Sequence, residues 1–323
     1  RILNLASMML LANQGFIQSH ADALPPVRIM PLGDSITQGC CSGTTIEGGY
    51  RTRLHSLLTG AGYTVDFVGT QTDANNPALP DRDHQGMPGL QIEGLRSSVA
   101  IWAKSVEDPD VILLHAGTND FTAGASVSQV QDRLRNLIAE LSELRPHAKI
   151  VVASLIPRTD TPTRQANQAA FAASLPQLVS DQVALGRKVH LADLHSALDP
   201  EDLAEGVHPT ITGYEKMADA WLPAITSVIS PLGSSDAPAI SGVEAREDLN
   251  HISVKFSKPV EDADAIPANF NVSNGVVVTG ASLDEASKRV VTLTTSAQQP
   301  NLRHTISVSN VHDRTAGHLA IAP

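Results

Sequence analysis

The chain has 323 residues, of which 42% are hydrophobic and 18% charged, so it carries enough apolar material for about two folded domains. Its 34 acidic and 23 basic residues give a net charge of -11, which argues against binding to the phosphate backbone of a nucleic acid. The two cysteines, Cys40 and Cys41, are adjacent, which excludes zinc-ligand spacing and a framework of several disulfides. A disulfide between these neighbours, a pair of free thiols, and a thiol linked to another molecule all stay open.

The first 23 residues have the pattern of a secretory signal peptide. Arg1 is followed by an apolar run over residues 2–12, and residues 21–23 (Ala-Asp-Ala) offer small side chains around a cleavage position. The apolar run is too short to span a bilayer, and an uncleaved amphipathic anchor is the alternative. Cleavage after residue 23 would start the mature chain at Leu24. We expect that chain to be secreted outside the cell or into the periplasm, with no membrane attachment.

Between residues 24 and 231 the hydrophobic pattern alternates between strand-like and helix-like segments. Short apolar runs predict five strands, at residues 27–30, 65–68, 111–114, 150–155 and 189–192. Apolar residues at helical spacing predict helices at residues 51–58, 92–103, 126–144, 165–185 and 212–229. Strands that alternate with helices are typical of a parallel sheet covered on both faces. We therefore predict an α/β domain with a five-stranded parallel sheet, whose reactive groups gather at the carboxyl ends of the strands.

The pattern changes after residues 232–238, whose Gly, Ser and Pro content is that of a linker. From there on, apolar residues alternate with polar ones, as around Ile252, and Asn274-Gly275 is a strong turn signal. We predict that residues 239–323 form a small antiparallel β-sandwich. This region has no obvious row of aromatic side chains on which sugar rings could stack.

A serine lies just after the first predicted strand, in the stretch Gly33-Asp34-Ser35. Three further segments follow other strands or precede the last helix, at residues 84–89, 117–120 and 205–209. All four segments would meet at one edge of a parallel sheet. Together they offer what acyl transfer needs, which is a nucleophile, a base and donors for a developing oxyanion. The candidates are Ser35 as nucleophile, His208 as base, and the N–H groups of Ser35 and Gly89 with the Asn119 side chain as donors.

These four ordered blocks resemble those of the SGNH hydrolases, also called GDSL-type esterases. Three stretches are most similar to the acetyl xylan esterases of carbohydrate esterase family three, namely residues 28–39 (RIMPLGDSITQG), 48–51 (GGYR) and 83–89 (DHQGMPG). The resemblance covers about residues 27–229. It implies a flavodoxin-like three-layer fold and a serine esterase mechanism that needs neither a metal nor a cofactor.

Four positions of this chain match the residues that name the family. Ser35 matches the nucleophile, His208 the histidine and Asn119 the asparagine. Gly89 matches the oxyanion glycine better than Gly86 does, because it lies where the loop turns into the next helix. The resemblance thus implies catalysis by Ser35 and His208, with an oxyanion hole formed by Ser35, Gly89 and Asn119.

The acid is the one point where the sequence departs from the family pattern. The family usually carries Asp three residues before the histidine, and this chain has Glu205 there. Glu205 is our first choice, because a glutamate can also orient an imidazole. Asp202, one turn earlier, and a Ser35–His208 dyad without a carboxylate are the alternatives.

Other polar residues lie close to these positions. Asp34 and Asp120 adjoin Ser35 and Asn119, and we expect them to tie loops together rather than to take part in the chemistry. His115 stands on a buried-type strand, which favours a hydrogen-bonded core histidine.

The C-terminal region has its own resemblance. Residues 252–260, 289–294 and 311–317 are similar to strands of bacterial Ig-like modules. The interpretation we favour is a spacer or stabilising appendage, and a polysaccharide-binding module is the alternative.

The sequence as a whole predicts a secreted serine esterase that removes short acyl groups, first of all acetyl, from xylan or a related polysaccharide. A broad short-chain carboxylesterase is the first alternative, and a non-catalytic carbohydrate-binding protein on an esterase fold is the second. The expected partner is therefore an acylated polysaccharide or a small ester, and no nucleic acid. The sequence makes no prediction of the oligomeric state.

Overall fold

A computed structural model describes residues 26–40, 48–73, 79–102, 108–146, 148–229, 237–246, 248–285, 287–299, 302, 304–314 and 319–321. The predicted signal peptide, most of the predicted linker and Cys41 lie outside these residues. Cys40 is disulfide-bonded. Among the described residues, no helix combines the length and the apolar character that crossing a membrane requires.

The first region contains all the strands and helices that the hydrophobic pattern predicts, with ends that differ by a few residues. Its strands are β1 (Val27–Gly33), β2 (Val65–Phe67), β3 (Gln71–Thr72), β4 (Asp83–Gly86), β5 (Val111–His115), β6 (Lys149–Ala153) and β7 (Val189–Ala192). Its helices are α1 (Ser35–Gln38), α2 (Tyr50–Gly60), α3 (Ile92–Trp102), α4 (Thr118–Thr122), α5 (Val127–Leu144), α6 (Pro162–Ala184) and α7 (Ile211–Thr226).

The strands form one mixed sheet in the order β3-β4-β1-β5-β6-β7, with β2 also paired to β1. Strand β1 runs parallel to β2, β4 and β5, and the parallel pairing continues through β6 to β7. The predicted sheet of five parallel strands is therefore wrong, because the sheet has seven strands and β3 runs antiparallel to β4. The two strands that were not predicted, β3 and β4, are short and polar, so no apolar run marks them in the sequence.

The sheet separates two apolar cores, which gives the predicted three layers. Alternate residues of a strand point to opposite faces, and in β1 Met30 and Leu32 join one core while Val27 and Ile29 join the other. Helices α3, α5 and α6 cover the first core, and α2 and α7 cover the second. Each helix buries one apolar side, as α5 does with Val130, Leu134, Leu137, Ile138 and Leu141.

The second region is all-β, as predicted. Its strands are β8 (Ile240–Ala245), β9 (His251–Phe256), β10 (Phe270–Val272), β11 (Val278–Leu283), β12 (Val290–Thr295) and β13 (Ile306–Val308). Strands β11-β12-β9-β8 form one antiparallel sheet and β10-β13 another. Apolar side chains of both sheets share a core that includes Val254, Phe270 and Leu293. The Ig-like identity of this region stays a prediction.

The second region contacts the amino ends of the parallel strands through charged side chains. Asp110, directly before β5, pairs with Lys255 of β9 at 2.9 Å and lies 3.8 Å from Arg289. Its other carboxylate oxygen accepts the backbone N–H of Arg28, at the start of β1, at 3.0 Å. Lys188, just before β7, donates to the Ser241 carbonyl of β8. These contacts lie at the opposite edge of the sheet from the carboxyl ends of the strands.

Candidate active site

The carboxyl end of β1 places Ser35 at the start of a short helix. Asp34 caps that helix by accepting the N–H of Ile36 at 3.0 Å, and Ser35 is the first residue of α1. A residue at the start of a helix has no intrahelical acceptor for its N–H. The hydroxyl and the N–H of Ser35 therefore both lie at the edge of the sheet where reactive groups were predicted.

A chain of hydrogen bonds runs from this serine to an acid. Ser35 Oγ and His208 Nε2 are 2.9 Å apart, although 173 residues separate them in the sequence. His208 Nδ1 makes a short contact with Glu205 Oε1, which also accepts the backbone N–H of His208 at 3.0 Å. A ring that donates from Nδ1 to the carboxylate presents the Nε2 lone pair to the serine hydroxyl. The three side chains are thus in line for proton transfer from serine to histidine.

The loop before α7 explains why the acid contact is made by Glu205. An antiparallel bridge joins Leu203 to Pro209, and the N–H of Ala204 donates to the carbonyl of His208 at 2.8 Å, so the loop folds back on itself. This close return brings the carboxylate of Glu205 to the imidazole three residues later.

Asp202 has a different set of partners. Its buried carboxylate accepts from Lys216 Nζ at 2.6 Å and from the N–H of Asp199 at 2.8 Å. Both interactions hold the turn that precedes the histidine loop, which is a structural task. Among the described residues, the carboxylate in contact with His208 is therefore that of Glu205, and the alternative of Asp202 finds no support in the geometry.

The two glycines considered for the oxyanion position have different surroundings. A Cβ added to Gly86 would collide with the backbone of Gln38, so this glycine lets β4 pack against α1. Gly89 has a φ of +76°, which glycine adopts more easily than any other residue. A Cβ would meet open space there, and the exposed backbone of Gly89 faces solvent. These surroundings favour Gly89 as the donor.

Asn119 lies in α4, at the carboxyl end of β5. Its Nδ2 donates to the carbonyl of Leu90 at 3.1 Å and makes a longer contact of 3.4 Å with Asp34 Oδ2. Because Leu90 directly follows Gly89, this amide connects the glycine loop to α4. Burial raises the pKa of the Asp34 carboxyl to about 6, although the Ile36 N–H and the nearby His208 both act to lower it. Asp34 thus ties α1 to α4, as expected from the sequence.

Arg51 is a site residue whose role the sequence did not reveal, although it stands in the GGYR stretch. Its guanidinium is completely buried and donates to the carbonyls of Thr37 and Gln38 at 3.2 Å each, at the end of α1. It also forms an ion pair with Asp73, which lies 3.5 Å from the buried His84. Arg51 therefore connects the helix that carries Ser35 to the loop before β4.

Arg158 is a second site residue that no sequence motif indicates. It makes a bidentate pair with Asp160, at 2.7 and 2.6 Å, and donates to the Thr118 carbonyl of α4 at 3.3 Å. The next residue, Thr159, donates its N–H to the carbonyl of Gly206 at 2.8 Å, within the histidine loop. A buried arginine after a strand carries no motif, and only the fold shows that Arg158 and the following Thr159 together connect α4 to the loop of His208.

Comparison with known proteins places this geometry in a family. The GDSL-like Lipase/Acylhydrolase family matches residues 32–216. A multidomain esterase of Ruminococcus flavefaciens is 32% identical over 263 residues, which is 73% of this chain and 32% of that protein. The chain thus spans about a third of the length of that relative.

Two solved structures resemble a large part of this chain. A family 3 carbohydrate esterase of Clostridium thermocellum superimposes with a TM-score of 0.56 at 31% identity, over 63% of this chain and 96% of that one. An acetyl esterase, solved as a serine-to-alanine mutant with an acetate ion, gives a TM-score of 0.54 at 26% identity, over 62% of this chain and 97% of that one.

The sheet of this chain has a serine, a histidine and an asparagine at the carboxyl ends of its strands, beside a glycine loop. This arrangement is the architecture of the SGNH hydrolases. The match over residues 32–216 shows that the chain belongs to the GDSL-like lipase/acylhydrolase family. The resemblance of residues 27–229 to the SGNH hydrolases is confirmed.

Proposed function

We propose that this protein is a secreted serine esterase that hydrolyses short acyl esters, first of all acetyl esters, on xylan or a related polysaccharide. The observation that carries the proposal is the hydrogen-bonded chain from Ser35 through His208 to Glu205. The similarity to a family 3 carbohydrate esterase supports a polysaccharide substrate, and the similarity to an acetyl esterase with bound acetate supports the acyl group. The predicted signal peptide supports export.

The proposed reaction has two half-reactions. His208 Nε2 accepts the hydroxyl proton of Ser35 while Oγ attacks the ester carbonyl carbon. The tetrahedral intermediate then expels the sugar alcohol, which takes the proton from Nε2, and the acyl group stays on Oγ. A water molecule attacks this acyl-enzyme with His208 again as base, so the carboxylic acid leaves and the serine is restored. Glu205 stabilises the imidazolium that forms in both halves.

The oxyanion would be held by the N–H groups of Ser35 and Gly89 and by Asn119 Nδ2. One Nδ2 hydrogen is used by the Leu90 carbonyl at 3.1 Å, whereas the 3.4 Å contact with Asp34 leaves the other one weakly engaged. Removal of one such donor costs about 10²- to 10³-fold in kcat in serine hydrolases. We expect a loss of about that size for Asn119→Ala.

Exposure and charge support a neutral polymer as substrate. Gly89 is exposed, and the side chain of Glu205 is 47% exposed, so the edge of the sheet is open to an acyl group that projects from a long chain. The net charge of -11 disfavours an anionic polymer, which the protein would repel.

The test compares wild-type protein with Ser35→Ala on p-nitrophenyl acetate, on longer p-nitrophenyl esters and on acetylated xylan. We expect acetate release from xylan and a preference for the shortest ester, with both lost in the variant. Equal background rates for the two proteins would refute an esterase that depends on Ser35. Hydrolysis of small esters without acetate release from xylan would instead support the broad short-chain carboxylesterase.

Export has a separate test. The full chain is expressed in a secreting host and the N-terminus of the exported protein is sequenced. We expect it to start at Leu24, and a product that keeps residues 1–23 would contradict the predicted signal peptide.

A further inference from the structure

Two oxyanion donors of the proposed site lie on separate elements, which a network of hydrogen bonds connects. The side chains of this network are those of Asn119, Asp120 and Arg133. Gly89 lies in the loop before α3, and Asn119 lies in α4. Each of the three residues that follow Gly89 makes one contact with this network. Leu90 accepts from Asn119 at 3.1 Å, Gln91 accepts from Arg133 at 3.0 Å, and the N–H of Ile92 donates to Asp120 at 3.0 Å.

Asp120 is the centre of this network. Its carboxylate is completely buried, with Oδ2 accepting from Ile92 and Oδ1 paired with Arg133 at 2.6 Å. A buried carboxylate is costly unless it is paired and hydrogen-bonded, so both partners are held in place by the same charge. Ile92 is the first residue of α3, where a negative charge is also favoured by the helix dipole.

Gly89 itself occupies an open and adaptable position in the loop before α3. Its surroundings are open, the residue is exposed, and a glycine can leave its φ of +76° for other conformations at little cost. The orientation of its N–H therefore depends on what anchors the next three residues. Asn119 depends on the same anchor, because the Leu90 carbonyl holds its amide.

We propose that Asp120 is a positioning residue of the esterase reaction, which acts with Arg133 to set the distance between the Gly89 N–H and the Asn119 amide. The carboxylate does not touch the substrate and takes no proton. Its effect is exerted on the transition state, because only the oxyanion requires both donors at once. This inference rests on the proposed esterase function.

The test is a double-mutant cycle on p-nitrophenyl acetate with Asp120→Ala, Asn119→Ala and the double variant. A donor displaced by about 1 Å costs up to about 10²-fold, so we expect Asp120→Ala to lower kcat by about tenfold or more with KM within about twofold. Because part of the effect of Asp120→Ala passes through Asn119, the double variant should lose clearly less than the product of the two single factors. Factors that multiply in the double variant would overturn the inference.

A second variant covers the case in which Asp120→Ala does not fold. Arg133 has a side chain that is 31% exposed, so Arg133→Met should fold, and we expect it to lower kcat in the same direction without raising KM. The control is Asp219→Asn, which breaks the exposed pair with Arg53 between α2 and α7 and should leave kcat unchanged. Wild-type kcat in folded Arg133→Met would overturn the inference. Failure of the proposed function is recognised separately, by equal rates for wild type and Ser35→Ala.

Discussion

At the scale of single residues, the acid beside His208 is the feature that separates this chain from the usual family pattern. Glutamate has one more methylene than aspartate, and here the loop returns closely enough for its carboxylate to reach both Nδ1 and the N–H of the histidine. We predict that Glu205→Gln lowers kcat by about 10²- to 10⁴-fold, because the ring loses the charge that stabilises the imidazolium. Initial rates on p-nitrophenyl acetate measure the loss.

The matched control for this change is Asp202→Asn. Its carboxylate holds Lys216 and the turn before the loop, so we expect a lower melting temperature and a kcat near that of wild type. A kcat that falls with Asp202→Asn and stays unchanged with Glu205→Gln would reverse the assignment. An unchanged kcat in both variants would support a Ser35–His208 dyad.

Gly89 offers a second prediction at this scale. Alanine at a φ of +76° costs about 1 kcal/mol of stability, and the loop can avoid this cost only by turning the N–H away. We therefore predict that Gly89→Ala lowers kcat by about tenfold or more, measured on p-nitrophenyl acetate.

The control is Gly186→Ala, which has a φ of +82° and equally open surroundings at the end of α6. It should have a similar cost in stability, measured by urea unfolding, and no effect on kcat. Equal activities of the two variants would remove Gly89 from the oxyanion hole.

At the scale of secondary-structure elements, the four-residue helix α1 needs external support to hold Ser35. A Cβ on Gly39, which ends the helix, would collide with the backbone of Gly49. From the other side, Arg51 binds the last two carbonyls of the helix. The GGYR stretch is therefore the support for the nucleophile helix, which gives a physical reason for its place in the motif.

This support predicts different effects for two arginines of the same helix. Arg51→Met removes a buried cation that pairs with Asp73 and donates to the carbonyls of α1, and its loss should cost about 3 kcal/mol of stability. It should also lower kcat, since Ser35 moves with α1. Arg53→Met breaks an exposed pair and should cost less than about 1 kcal/mol with kcat unchanged. Urea unfolding and initial rates check both, and equal effects of the two changes would contradict this role of Arg51.

The elements predicted from the sequence are those with an apolar periodicity, such as α5 with its five buried residues. Strand β4, which reads Asp-His-Gln-Gly, carries no such pattern, and its buried His84 and Gln85 are accommodated by pairing with β1 and by side-chain hydrogen bonds. Whether such a polar segment forms a strand depends on pairing partners elsewhere in the chain. A short stretch of sequence does not reveal these partners.

The residues of the candidate site also fall into two groups, those that the sequence could reveal and those that it could not. Ser35, Gly89, Asn119 and His208 could be chosen from ordered motifs, because chemistry fixes their residue types. Arg158 could not be chosen, since its task depends on two loops that meet only in the folded chain. Positioning residues of this kind have no residue type that chemistry requires, which explains why the sequence did not reveal them.

At the scale of the whole molecule, buried histidines make stability depend on pH. Burial lowers the pKa of His115 from 6.5 to about 4, so between these values the unfolded chain binds a proton that the folded chain does not. Stability from this group is present above pH 6.5 and is lost as the pH falls towards 4. Asp34, whose pKa burial raises to about 6, acts in the opposite direction between pH 3.8 and 6.

The variant His115→Gln isolates this contribution. We predict that the free energy of unfolding of wild type, relative to the variant, falls by up to about 1.4 kcal/mol per pH unit between pH 6.5 and 4. Urea unfolding at several pH values measures it. A difference between the two proteins that does not change with pH would contradict the assignment of a neutral buried histidine.

The position of the all-β region also leads to a prediction. Its contacts through Asp110 and Lys255 lie at the amino ends of the strands, whereas Ser35 lies beyond the carboxyl ends. We predict that Lys255→Met, which leaves the buried Asp110 with a weaker partner, lowers the melting temperature without changing kcat on p-nitrophenyl acetate. A large loss of kcat in a protein that still folds would contradict the interpretation as a stabilising appendage.

Covalent labelling with an organophosphate, read by intact mass and peptide mapping, shows whether Ser35 is an activated nucleophile. A serine that is activated by His208 attacks the phosphorus, and the tetrahedral adduct occupies the oxyanion hole. We predict one adduct per chain on Ser35, none in Ser35→Ala, and strongly slowed labelling in His208→Ala. A wild-type protein that gains no mass, or gains it on another residue, would show that Ser35 is not the nucleophile.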